Sequence, residues 1–177
     1  MHVSGPSHIW LTQNPDIRSY IPPVQIQETM RGGGLARVTA SKNPSYPTGT
    51  LVSGMTGWSE YAYLTTAETI TVPPGGQLTD ALGVLGMTGL TAYFGILDVG
   101  KVKKGDFVVV SGAAGATGSV VGQIAKLKGA TVLGLAGSDD KCEWLKELGF
   151  DDALNYKDKD FAKKFRTATP VSLLNRR

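Results

Sequence analysis

The chain is expected to be an α/β protein in two parts, a β-rich unit followed by a parallel sheet flanked by helices. Three observations predict this. Short apolar segments broken by Gly and Pro fill residues 32–72. After Pro73-Pro74-Gly75-Gly76, longer apolar runs alternate with segments of helical period. Between the first such run and its helix lies a stretch of small residues, Gly112 to Gly118. Strand and helix alternating at this spacing is the pattern of a parallel sheet. The boundary divides the chain into domains at 1–76 and 77–177.

In the first part, residues 1–30 carry prolines at 6, 15, 22 and 23 and show no period, so they read as loop. Gly32-Gly33-Gly34 leads into Leu35 to Ala40, which alternates as a strand does. A turn from Asn43-Pro44 to Gly49 follows, then Leu51-Val52, the segment Trp58 to Thr65, and Thr69 to Val72. These read as short antiparallel strands. Trp58, Tyr61 and Tyr63 alternate along one of them, and packing is their default role.

In the second part, Thr79 to Leu97 reads as a helix, although each glycine within it costs about 1 kcal/mol against alanine. Phe107 to Val110 is a continuous apolar run, as expected of a strand buried on both faces. A helix from Ala116 to Lys128 presents Val120, Val121, Ile124 and Ala125 on one face. Thr131 to Leu135 is the second strand. Ser138 or Asp139 caps a helix on which Trp144, Leu145 and Leu148 share a face and which Gly149 closes. Ala153 to Tyr156 begins a third strand, and Asp160 to Arg166 a short helix with Phe161 and Phe165 one turn apart.

Composition narrows the function. Of 177 residues, 41% are hydrophobic and 19% charged, as in a folded globular chain. A net charge of +3 on scattered Lys and Arg argues against nucleic acid or a membrane surface as partner. The uncharged runs Ala81 to Leu97 and Phe107 to Ala125 are too broken by glycine and polar residues to span a bilayer. One cysteine, Cys142, excludes an intrachain disulfide and suits a reducing compartment, and the N-terminus lacks a signal-peptide pattern. The expected location is cytoplasmic. No Cys/His cluster has metal-site spacing, so no metal is expected. Cys142 beside Lys141 is either a thiol of lowered pKa or, more simply, a half-buried packing residue. Glu143 and Lys146 read as a helix-surface pair.

The chemistry is carried by Gly112-Ala113-Ala114-Gly115-Ala116-Thr117-Gly118. A dinucleotide pyrophosphate needs backbone N–H groups aimed at it, and a helix N-terminus supplies them with a favourable dipole. Gly112 permits the turn, Gly115 close approach of the phosphates, and Gly118 close packing of helix on strand. Three glycines alone are weak evidence; the strand before, the helix after and the second strand at the expected distance make them specific. The end of the second strand bears on the choice of cofactor. A nicotinamide dinucleotide without a 2′-phosphate is usually met there by Asp or Glu. This chain has Ala136-Gly137-Ser138, then Lys141, whose ammonium would neutralise a 2′-phosphate. Asp139 and Asp140 argue the other way, but at a helix start they are more simply cap and dipole partners.

Several strings together resemble the zinc-independent medium-chain dehydrogenase/reductases, in particular their prostaglandin/leukotriene reductase and NADP-dependent alkenal double-bond reductase branch. They are Met30-Arg31-Gly32-Gly33-Gly34, Leu51 to Trp58, Leu85 to Gly95, Ala114 to Gln123, Gly137 to Lys141, Leu148-Gly149-Phe150 and Asn155-Tyr156-Lys157. The match runs from about Ser19 to Phe165. The resemblance implies a partial GroES-like β-rich substrate domain followed by a partial Rossmann domain that binds NADP. It implies that Gly115, Ala116, Thr117 and Gly118 hold the pyrophosphate. Ser138, Lys141 and Tyr156 would face the adenosine 2′-phosphate, and Met87 and Thr91 would lie near the nicotinamide. The implied reaction is hydride transfer to the β-carbon of an α,β-unsaturated aldehyde or ketone, followed by protonation of the enolate. Such chemistry requires a hydrogen-bond donor at the carbonyl oxygen; no residue here is assigned to it.

Against the family pattern, the chain starts partway into the GroES-like domain and ends after the second βα pair and the start of the third strand. Its tail from Thr169 to Arg177 does not match the family's next strand. Three readings follow. The first is an NADPH-dependent enone or enal reductase, with a small-molecule substrate and at most a second copy of the chain as partner. The second is a quinone reductase of the same superfamily. The third is a non-catalytic fragment that binds nucleotide or a partner.

Overall fold

A computed structural model describes residues 2–4, 24–71 and 74–170. The chain divides into two compact units, Met1–Gly83 and Val84–Arg177. The division falls a few residues beyond the expected boundary at residue 76.

In the first unit, β1 (His2–Ser4), β2 (Gly33–Arg37), β3 (Leu51–Gly54) and β4 (Glu68–Thr69) form an antiparallel sheet in chain order. Leu35 faces Ser53 and Ala36 faces Val52 across the β2–β3 pair. Leu35 and Val52 are the buried apolar residues of that pair, and this register places them on opposite faces of the sheet. Three expectations are corrected here. His2–Ser4 is a strand paired with β2, where loop was read. Residues 58–65 form no strand, and Trp58, Tyr61 and Tyr63 are exposed, Tyr63 by 93%. No buried face enforces their alternation. Of the expected strand Thr69 to Val72, Thr69 is paired in a strand that begins at Glu68, the Ile70 N–H donates to the Leu51 carbonyl, and Val72 lies outside the described residues. An open cavity of about 1320 Å³ lies within this unit, lined by Leu35, Leu51, Val52, Tyr61, Tyr63 and Leu64 among others.

The stretch from Thr79 to Leu97 is not one helix. It comprises a 3₁₀ turn (Leu78–Ala81), α1 (Met87–Phe94) and a π turn (Gly95–Val99). At Gly89, where a Cβ would stand, the carbonyl oxygen of Val84 lies only 1.8 Å away. The chain before α1 therefore folds back on the helix instead of extending it. Gly89, having no Cβ, permits that close approach.

The second unit follows the expected alternation closely: β5 (Phe107–Val110), α2 (Ala116–Leu127), β6 (Thr131–Ala136), α3 (Asp139–Glu147), β7 (Asp152–Asn155) and α4 (Phe161–Ala168). The three strands are parallel in the order β5-β6-β7. The core comprises Val110, Ala113, Val132, Leu145 and Phe150 with smaller residues around them. The apolar run of β5, an edge strand, is not buried on both faces, and Val109 is 38% exposed. On α2 the most buried line is Ser119, Gly122 and Ala125, three residues apart, rather than the larger side chains. The small residues admit the Phe150 ring against the helix backbone. On α3, Leu145 is fully buried while Trp144 is 42% exposed, so the indole does not share the buried face. Among the described residues no helix is long and apolar enough to cross a membrane.

Candidate functional site

All nine expected cofactor residues belong to the second unit, and the large cavity of the first unit contains none of them. Parallel strands direct their carboxyl ends the same way, so the helices that follow β5 and β6 both begin at one edge of the sheet.

The first cluster is the turn from β5 into α2. Gly112 adopts φ +57°, a left-handed conformation that an L side chain resists. The Ala113 N–H donates to the Leu135 carbonyl at 3.0 Å, tying the turn to β6. Gly115 is the N-cap of α2 and offers no side chain to the helix end. Its carbonyl accepts from Ser119 at 3.0 Å. The N–H groups of Ala116, Thr117 and Gly118 open the helix with no hydrogen-bond partner among the described residues, as first-turn donors are left by helix geometry. A Cβ on Gly118 would stand 2.5 Å from the Gly112 carbonyl oxygen and 2.9 Å from Ala113 Cα. Gly118 is thus the close-packing glycine, and the turn collapses onto it. A cradle of unpaired donors lined only by small side chains fits an anionic diphosphate.

The second cluster joins the end of β6 to the end of β7. Ser138 caps α3 through its backbone, since no side-chain bond is made. Lys141 lies exposed in the first turn of α3. Tyr156, half exposed, bonds through its N–H to the Ala136 carbonyl at 3.0 Å. Its hydroxyl stands 2.8 Å from the point where a Cβ on Gly137 would be, and Lys157 Cε stands 3.5 Å from that point. The small Gly137 is therefore what leaves room for the Tyr156 hydroxyl, with Lys157 in ordinary contact beside it. Asp139, the first residue of α3, makes no cap bond among the described residues and accepts from Asn155 Nδ2 at 2.9 Å.

The third cluster is α1. Met87 is its first residue and 71% exposed; Thr91 Oγ1, one turn on, donates to the Met87 carbonyl at 2.7 Å. The helix packs against α2 through the fully buried Ala92.

Electrostatics separates bystanders from site residues. Burial, and then the Asp139 carboxylate, push the Cys142 thiol pKa up, so this cysteine is a packing residue and not a thiolate. Lys146 pairs with Asp152 of β7 at 2.9 Å rather than with Glu143. The hydrogen bond and charge of Asp152 raise its pKa. Tertiary approach of β7 thus replaces the helix-surface pair read from spacing. Asn155 and Lys157 also belong to the site-forming residues, and their only signal in the sequence is the string Asn155-Tyr156-Lys157. Among the described residues no group of three or more His, Cys, Asp or Glu is arranged to hold a metal ion.

Comparison with known proteins places these clusters in context. Residues 9–72 match a family described as the N-terminal domain of oxidoreductase, and residues 116–173 one described as zinc-binding dehydrogenase. The chain is 49% identical over 153 residues to prostaglandin reductase 1 of Bos taurus, covering 84% of this chain and 46% of the relative. It is 44% identical over 147 residues to the NADP⁺-dependent 2-alkenal reductase of Nicotiana tabacum, covering 79% and 42%. The crystal structure of CurA from Vibrio vulnificus in complex with NADPH superimposes with a TM-score of 0.80 at 44% identity, covering 86% of this chain and 46% of that one. The chain thus spans about half the length of the curated relatives it matches. These relatives lend no support to the reading of a non-catalytic fragment.

Proposed function

Since the chain belongs to the zinc-independent medium-chain dehydrogenase/reductases, in their prostaglandin and alkenal reductase branch, we propose that it serves the NADPH-dependent reduction of the activated double bond of α,β-unsaturated aldehydes or ketones. The observation that carries this reading is the strand end at Gly137. A tyrosine hydroxyl and Lys157 close over a glycine there, and Lys141 opens the next helix. Cationic groups beside a strand end that carries glycine in place of Asp or Glu suit a 2′-phosphate better than the paired hydroxyls of an unphosphorylated ribose.

The residues that would hold the cofactor follow from the three clusters. The N–H groups of Ala116, Thr117 and Gly118 would bind the pyrophosphate at the α2 terminus. Ser138, Lys141 and Tyr156 would bind the 2′-phosphate, with Lys157 beside them. Met87 and Thr91 would border the nicotinamide, and their internal hydrogen bond keeps the Thr91 side chain on α1. When bound, reduced nicotinamide supplies a hydride to the β-carbon of an enal or enone. The described residues contribute binding and orientation, and the likeness to prostaglandin and alkenal reductases supports the substrate class.

The test is direct. Purified chain mixed with NADPH and a medium-chain 2-alkenal should deplete NADPH absorbance. Absence of turnover, together with no change in NADPH fluorescence on mixing with the protein, would refute the proposal.

A further inference from the structure

One side chain outside the expected site links two elements of the second cluster, α3 and the turn after β7. Asn155, half-buried at the end of β7, donates from Nδ2 to Asp139 at the first position of α3, 2.9 Å away. Its Oδ1 accepts the Lys157 N–H at 3.0 Å. The residue between them, Tyr156, bonds through its N–H to Ala136 at the end of β6. One amide thus ties the start of α3 to the Tyr156-Lys157 turn.

We propose that Asn155 is a positioning residue for 2′-phosphate recognition: it holds Asp139 against β7 and fixes the turn that carries Tyr156 and Lys157 beside Gly137. This rests on the reading that the chain takes a 2′-phosphorylated dinucleotide. A carboxylate at the end of the second strand selects ribose hydroxyls and repels a phosphate dianion. In this chain Gly137 follows β6 at that place, Asp139 comes two residues later on α3, and the Asn155 hydrogen bond holds the Asp139 carboxylate toward β7. The same amide uses its oxygen to set the backbone of the turn, so neither half of its hydrogen-bonding capacity is idle. Isosteric aspartate cannot substitute, because it would put two carboxylates face to face.

The experiment measures dissociation constants of NADPH and NADH by fluorescence for the unsubstituted chain, Asn155→Ala, Asn155→Asp, and the exchanged pair Asn155→Asp with Asp139→Asn. Asn155→Ala is expected to weaken NADPH about fivefold, the scale of one hydrogen bond, while NADH moves less than about twofold. Asn155→Asp should weaken NADPH further, and the exchanged pair, which restores the bond with donor and acceptor reversed, should recover the preference. A merely structural role would weaken both cofactors alike, and an unchanged NADPH-to-NADH ratio in Asn155→Ala overturns the proposal. If Asn155→Ala does not fold, the exchanged pair decides: recovered preference supports the proposal and lost preference overturns it. An unsubstituted chain that binds both cofactors equally, or neither, overturns the underlying function and this inference with it.

Discussion

Gly122→Ala tests the packing that holds the phosphate-binding helix against the sheet. Gly122 lies in the middle of α2, and the Phe150 ring covers its Cα. A methyl group there would stand 1.9 Å from Phe150 Cζ and 2.5 Å from both Cε atoms. Carbon atoms pack at about 3.5–4.0 Å, so the shortfall exceeds an ångström. The ring is enclosed: Phe150 is 4% exposed and packs over the Cβ-less Gly134 of β6 as well as Gly122. Overpacking of this kind costs about 1–3 kcal/mol or more. Alanine recovers about 1 kcal/mol of helix propensity, which the clash outweighs. The net expectation is a loss of up to about 2 kcal/mol. In a Phe150→Ala background, itself weaker by about 3–5 kcal/mol, the obstacle is gone and Gly122→Ala should stabilise by up to about 1 kcal/mol. Urea unfolding followed by circular dichroism, with unchanged m-values, reads both effects. The reasoning fails if the substitution has the same sign in both backgrounds.

Three further outcomes are expected. Gly118→Ala, whose Cβ would stand 2.5 Å from the Gly112 carbonyl oxygen, should distort the turn and weaken NADPH about tenfold or more by fluorescence titration. Asp151 responds to acid. Burial raises its pKa, but Lys126 at 2.7 Å and the Val132 N–H at 2.6 Å outweigh it, and the net value is lowered. Its stabilising contribution is therefore present above the ordinary carboxylate pKa and lost as pH falls below about 4. Asp151→Asn should flatten that limb of a stability-versus-pH curve; an unaltered limb would exclude the assignment. Cys142, 7% exposed with a raised pKa, should react with a thiol reagent slowly at neutral pH and rapidly once urea unfolds the chain. Rapid labelling of folded protein would contradict its packing role.

The second unit was legible because its signals are local. The Phe107–Val110 run, the small-residue turn, the Ser138 cap and Gly149, at φ +94°, mark element ends within a few residues of where they occur. The first unit was less so, because antiparallel pairing of short strands is decided across the sheet. The partner of β3 is Glu68–Thr69 and not the aromatic segment that alternates more convincingly. The break before α1 also depends on a tertiary approach, the Val84 carbonyl over Gly89. At the candidate site, sequence identified the residues that would touch phosphate through their type: small at the turn, cationic after the second strand. It could not identify Asn155 or the Lys146–Asp152 pair. Their partners are 16 residues and one strand away, and no periodicity encodes that proximity.

The central claim is that this chain's cofactor site is built for a 2′-phosphate. It is tested most directly by the dissociation constants of NADPH and NADH for the unsubstituted chain and for Lys141→Glu. The unsubstituted chain should bind NADPH about tenfold or more tighter, the scale of a charge-assisted hydrogen bond, and Lys141→Glu should remove most of that margin by weakening NADPH alone. Equal affinity for the two cofactors, or a substitution that weakens both alike, would contradict it.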